Sequence, residues 1–108
     1  LLERSESATV GMIRSTAGSI GETEGGRMVP YCVSKSALNM LTKLLHFRLR
    51  DLDIPIVALH PGWVRTDMGG SNALVSVKDS VEGMAEVIAS QAADSPLYRD
   101  YRGEPLPW

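Results

Sequence analysis

Apolar and polar positions in this chain of 108 residues switch between a strand-like and a helix-like pattern. Residues 8–15, ATVGMIRS, are small and apolar with a polar end, which predicts a short buried strand. TAGSIGETEGGR, residues 16–27, is rich in Gly, Ser and Thr and predicts a loop. Pro30 stands where a helix can begin, because its missing N–H costs nothing in the first turn. From residue 31 to 52 there is no Gly or Pro, and the residues are good helix formers.

Within that helix, Val33, Ala37, Met40, Leu44 and Phe47 form one apolar stripe. Leu38, Leu41, Leu45, Leu49 and Leu52 form a second. Together they span an arc of roughly 200°, wider than a surface helix needs. One part is expected to cover a sheet, and the remainder another helix or a second subunit. Lys43, His46 and Arg50 lie on the polar side.

IPIVALH, residues 54–60, is a near-continuous apolar run with β-branched residues, as in a strand buried on both faces. PGWVRTDMGG ends it as a loop. Residues 76–90, SVKDSVEGMAEVIAS, predict a second amphipathic helix with Val77, Val81, Met84, Val87 and Ile88 inward. A short edge strand is expected around 97–101, followed by a Pro-containing tail. Strand, helix, strand, helix, strand in that order implies parallel units joined by right-handed crossovers, hence an α/β sheet. The pattern shows no internal repeat and no domain boundary.

Composition changes this picture little. Hydrophobic residues make up 44% and charged residues 22%, so a packed core is expected. A formal charge of −2 and scattered basic residues give no reason to expect nucleic acid or an acidic membrane surface as partner. No apolar stretch approaches the roughly 20 residues needed to span a bilayer. The one cysteine, Cys32, cannot pair within the chain, so a reducing, cytoplasmic compartment is expected. The opening LLERSES lacks the apolar core of a signal peptide and has no initiator methionine, and further sequence upstream is therefore expected.

The candidate chemistry lies in PYCVSK, residues 30–35. Tyr31 and Lys35 are four apart on one helix, about 40° from each other around its axis. An ammonium beside a phenol favours the phenolate, and a phenol tuned in this way can move a proton during a reaction. Taken alone, the spacing equally describes a helix start with an amphipathic Tyr and a snorkelling Lys. The surroundings decide between the two. Ser15 ends a predicted strand sixteen residues before Tyr31, Gly18 follows it by three, and LHPGWVRTDMGG follows the next strand.

With those motifs in that order, the sequence resembles the short-chain dehydrogenase/reductase family, in particular its carbonyl reductases of the sniffer and C-factor type. The resemblance runs over essentially the whole chain. It implies the second half of a Rossmann-type doubly wound parallel sheet. It also implies an NADP-dependent oxidoreductase, with NAD as the other possible cofactor, acting on a small carbonyl or alcohol. Tyr31 would protonate the carbonyl oxygen as hydride arrives. Lys35 would tune the phenol and hydrogen-bond the nicotinamide ribose. Ser15 would donate to the carbonyl oxygen. Pro61, Gly62, Val64 and Thr66 would form the turn that receives the carboxamide. In doubly wound sheets ligands bind at the carboxyl ends of the strands, which is where Ser15 and residues 61–66 fall.

The sequence departs from that family in two respects. Arg14 stands where a serine is usual, and it is expected to lie beside the pocket. The Gly-rich nucleotide-binding half is absent, as are a residue to read the adenosine ribose and the family's upstream asparagine. GETEGGR does not replace the Gly-rich turn, since no strand directly precedes it. The 108 residues are therefore expected to be the C-terminal part of one dinucleotide-binding catalytic domain, either a fragment of an enzyme or a truncated product. The alternative is a non-catalytic interaction module of the same fold.

The other reactive side chains have plainer roles. His46 is expected at the surface, and His60 as a turn residue. No His, Cys or carboxylate spacing suggests a metal site. Cys32 is expected to be a small buried filler. Trp63 either lines the substrate side of the pocket or pins its loop. A homo-oligomer built on the wide apolar arc is a further expectation.

Overall fold

The chain alternates strand and helix as its periodicity predicts. The computed structural model describes residues 2–108. After a helical turn at Leu2–Arg4 come β1 (Val10–Ile13), a second short turn at Thr16–Gly18, and α1 (Val29–Arg50). β2 (Ile56–His60), α2 (Val77–Ser90) and β3 (Tyr98–Asp100) complete it. The strands form one parallel sheet in the order β1-β2-β3, with Val10 opposite Ile56 and His60 opposite Asp100. This is an α/β arrangement that matches part of a doubly wound, Rossmann-type sheet.

β2 is the centre of the core. Ile56, Val57, Ala58 and Leu59 are each 1% exposed or less. Alternate side chains of a strand point to opposite faces. Val57 and Leu59 meet Val87, Met84 and Ile88 of α2, while α1 packs on the strand from the other side. Coverage on both faces explains why the run 54–60 carries no alternation. β1 differs from the buried strand expected. Its residues alternate between half-buried and exposed, and Ile13 is open to solvent, because β2 is its sheet neighbour on one side only among the described residues.

The sheet-facing side of α1 is also a correction. Leu38, Leu45 and Leu49 are half-buried, but the most buried residues of the helix are Asn39 and Thr42. Val33, Met40, Leu44 and Phe47 of the first stripe are exposed. The polar choice follows from what the helix meets. Asn39 Nδ2 and Ser36 Oγ donate to the Gly18 carbonyl at 2.7 and 3.0 Å. Gly18 lies so close to the helix that an added Cβ would stand 2.7 Å from the Lys35 main-chain carbon. Only glycine allows that approach.

Local signals set the helix ends. α1 begins two residues earlier than expected, after Met28 in a left-handed conformation and with Pro30 in its first turn. Ser76 caps α2 by accepting the Asp79 N–H at 3.0 Å and donating to the Asp79 carboxylate at 2.6 Å. Beyond β3 the tail folds back, with the Leu106 N–H on the Tyr98 carbonyl and the Gly21 N–H on the Trp108 carbonyl. Among the described residues, no helix is long and apolar enough to cross a membrane.

Candidate active site

The carboxyl ends of β1 and β2 open onto one cavity of 570 Å³. Ser15, Tyr31, Pro61, Gly62, Val64 and Thr66, all singled out from sequence, lie on its wall. They reach it from three separate segments: the turn after β1, the first turn of α1, and the loop after β2.

Ser15 leaves β1 in extended conformation and caps the short turn 16–18. Its Oγ accepts the Ala17 N–H at 3.2 Å. The hydroxyl proton is thereby free to be donated into the cavity. Tyr31 is half-buried at the start of α1. Lys35 is not on the cavity wall. Its ammonium sits 5.4 Å from the centroid of the Tyr31 ring, one turn along the helix. That contact follows from the i, i+4 spacing.

The loop after β2 is held rigidly. Gly62 has φ 84°, and a side chain there would press on Val75 and the Tyr101 ring. Ser80 Oγ of α2 donates to the Pro61 carbonyl at 2.7 Å. Val64 pairs with Val75 through bonds made by its neighbours: the Arg65 N–H to Val75, and the Val75 N–H to the Trp63 carbonyl. That arrangement turns the Val64 N–H to the opposite side of the strand pair. Thr66 Oγ1 accepts the Gly69 N–H at 3.1 Å, and Trp63 Nε1 donates to the Gly69 carbonyl at 2.8 Å. Trp63 thus lines the cavity and pins the loop at once.

A family model described as short chain dehydrogenase matches residues 1–75. The chain belongs to the short-chain dehydrogenase family. C-signal of Myxococcus xanthus is 40% identical over 100 residues, covering 92% of this chain and 60% of that protein. The carbonyl reductase Sniffer of D. melanogaster superposes with a TM-score of 0.88 at 40% identity, over 94% of this chain and 41% of that one. The NADPH-bound carbonyl reductase from chicken fatty liver does so with a TM-score of 0.84 at 39% identity, over 94% and 43%. This short-chain dehydrogenase chain therefore spans between about two fifths and three fifths of these three relatives.

Several residues behave otherwise than expected. Arg14 is not among them: it borders the cavity as expected, and its guanidinium turns inward and is buried. Cys32 is half-exposed, with Sγ 3.6 Å from the Arg27 carbonyl, because loop 19–27 leaves that side of α1 open. Periodicity places Val77, Val81 and Met84 toward the core. Val77 and Val81 are instead exposed, and with Met68 and Met84 they make the apolar wall of the cavity. The signal for this is the apolar start of α2 directly after a loop bearing Met68. A periodicity argument reads such a stripe as core.

His60, expected as a turn residue, lines the cavity with Nδ1 buried and without a hydrogen-bond partner. Burial lowers its pKa, opposed by the Arg14 main chain and by the Asp100 and Glu22 carboxylates. The unfolded chain therefore takes up a proton near pH 6.5 that the folded chain resists, and acid favours unfolding. The stabilising contribution is complete above about pH 6.5 and is lost as pH falls toward the lowered folded value. The midpoint of thermal unfolding should decline between about pH 7 and pH 5. His60→Asn should flatten that decline, leaving the contribution of His46, whose pKa is lowered by burial and by Lys43 and Arg50. Identical slopes for the two proteins would refute the assignment.

Proposed function

We propose that this chain is the catalytic portion of an NADP-dependent carbonyl reductase, with Tyr31 as the acid. The observation that carries the reading is the meeting of Ser15 and Tyr31 on one cavity, with the Lys35 ammonium against the Tyr31 ring. A small carbonyl compound would place its oxygen between the Ser15 hydroxyl and the Tyr31 phenol. Ser15 then polarises the carbonyl, and Tyr31 delivers the proton that converts the oxygen to a hydroxyl. In the reverse direction Tyr31 takes the proton from an alcohol. The apolar wall of Met68, Val77, Val81 and Met84 suits the carbon skeleton of such a compound.

The cofactor assignment draws on the chain's own residues and on the NADPH bound to the chicken reductase. The turned Val64 N–H and the Thr66 hydroxyl fit the carboxamide end of a nicotinamide, and Lys35 fits its ribose. When bound, reduced nicotinamide supplies the hydride. The 108 residues contain no Gly-rich turn to hold the pyrophosphate, so the reading assigns that task to a nucleotide-binding half in the whole protein. The reading also adopts the reducing, cytoplasmic compartment that a single free cysteine suits. A non-catalytic module of the same fold is less favoured, since it leaves the Ser15 and Tyr31 arrangement without a use.

The whole protein should consume NADPH when offered a panel of aldehydes and ketones, and should enhance NADPH fluorescence on binding. Failure of both would refute the reading. Self-association through the outer stripe of α1 belongs to the same proposal. Val33, Met40, Leu44 and Phe47 are all exposed there, Phe47 by 47%. Phe47→Glu should place a charge in that interface and lower the mass measured by light scattering. An unchanged mass would show that the stripe is not an interface between copies.

A further inference from the structure

Arg14 has no part in the chemistry proposed above, yet its side chain is placed with unusual care. It leaves the end of β1 next to Ser15 and is 2% exposed. Nη2 donates to the Lys35 carbonyl at 3.0 Å, and Nη1 to Thr42 Oγ1 at 3.1 Å. The guanidinium carbon is 5.8 Å from the centroid of the Tyr98 ring. Among the described residues no carboxylate forms an ion pair with it, and Nε is buried without a partner.

Such a charge is costly to bury, because neutral acceptors return only part of the lost hydration. An unbranched apolar side chain would fill the same space with less desolvation. What the guanidinium supplies is geometry. Its bond to Lys35 goes to the main chain, so it holds the helix itself and not one side-chain rotamer. The second bond, at Thr42, lies about two turns further along and opposes rotation or sliding of α1 over β1. The same junction is closed from the other side by Gly18 against the Lys35 backbone, and by Ser36 and Asn39 on the Gly18 carbonyl. The segment carrying Ser15 is thus fastened to the helix carrying Tyr31 and Lys35 within a few residues of all three.

We propose that Arg14 is a positioning residue: by gripping α1 at Lys35 and Thr42, it sets the separation between the Ser15 hydroxyl and the Tyr31 phenol. The inference rests on the reductase reading of the site. It adds to that reading a residue that touches neither substrate nor cofactor.

The test is a double-mutant cycle in the whole protein. Arg14→Met should lower kcat about 10- to 100-fold, the scale of a displacement of about 1 Å at a reacting centre. The KM for NADPH should stay close to wild type, and the thermal midpoint should hold or rise. Arg14→Lys, which can reach one of the two acceptors, should recover part of kcat. Ser15→Ala should cost far less in the Arg14→Met background than in the wild type, because the serine is already misplaced there. Should Arg14→Met fail to fold, Thr42→Val removes one acceptor and can be carried through the same cycle. An active wild type with an unaffected Arg14→Met, or with costs that add in full, would overturn the inference alone. A wild type that neither binds NADPH nor reduces any carbonyl would overturn the reductase reading and this inference with it.

Discussion

Tyr31→Phe should lower the turnover of the whole protein by about 10²–10⁴, the usual contribution of a positioned general acid. The substitution removes one oxygen and leaves the ring in place. The ring is what the Lys35 ammonium touches, 5.4 Å from its centroid, so the packing at the start of α1 should survive. NADPH affinity should change little, since the proposed cofactor contacts come from Lys35, Val64 and Thr66. Steady-state carbonyl reduction measured beside a fluorescence titration of NADPH separates the two quantities. Near-wild-type turnover would make the phenol an ordinary amphipathic residue at a helix start.

Lys35→Ala should be as damaging, and in a different way. The ammonium is proposed to have two tasks, supporting proton transfer at Tyr31, against whose ring it sits, and holding the nicotinamide ribose. Its removal should therefore lower kcat and weaken NADPH binding together. The Lys35 main chain, which accepts from Arg14 and lies against Gly18, is retained in the variant. Alanine is also a better helix former than lysine, so α1 should remain intact. A loss of kcat with unchanged NADPH affinity would remove Lys35 from the cofactor site. A loss of affinity alone would remove it from the acid–base step.

Much of this site is legible in the residues alone. Tyr31 and Lys35 share a helix because the residues from 31 onward favour one, and their spacing then dictates that they meet. Ser15 and Pro61–Thr66 stand at strand ends, and in a parallel sheet those ends lie on the same edge. The order of elements follows from the two periods of apolarity. The environment of β1 is less legible. A run of small apolar residues does not reveal whether strands flank it on both sides, and Ile13 lies open to solvent.

The order of strands and helices and the pairing of Tyr31 with Lys35 are written in the amino-acid order, because each depends on residues near one another along the chain. Which side of α1 is buried is settled only by packing. Periodicity measures how apolar a face is, whereas here the covered face carries Asn39 and Thr42 to meet a carbonyl and a guanidinium. Their partners, Gly18 and Arg14, lie 21 and 28 residues away. The same holds for His60 and for Val77 and Val81 on the cavity wall. A hydrogen-bond partner or a cavity brought from a distant segment leaves no period in the sequence, so it becomes visible only when the segments pack.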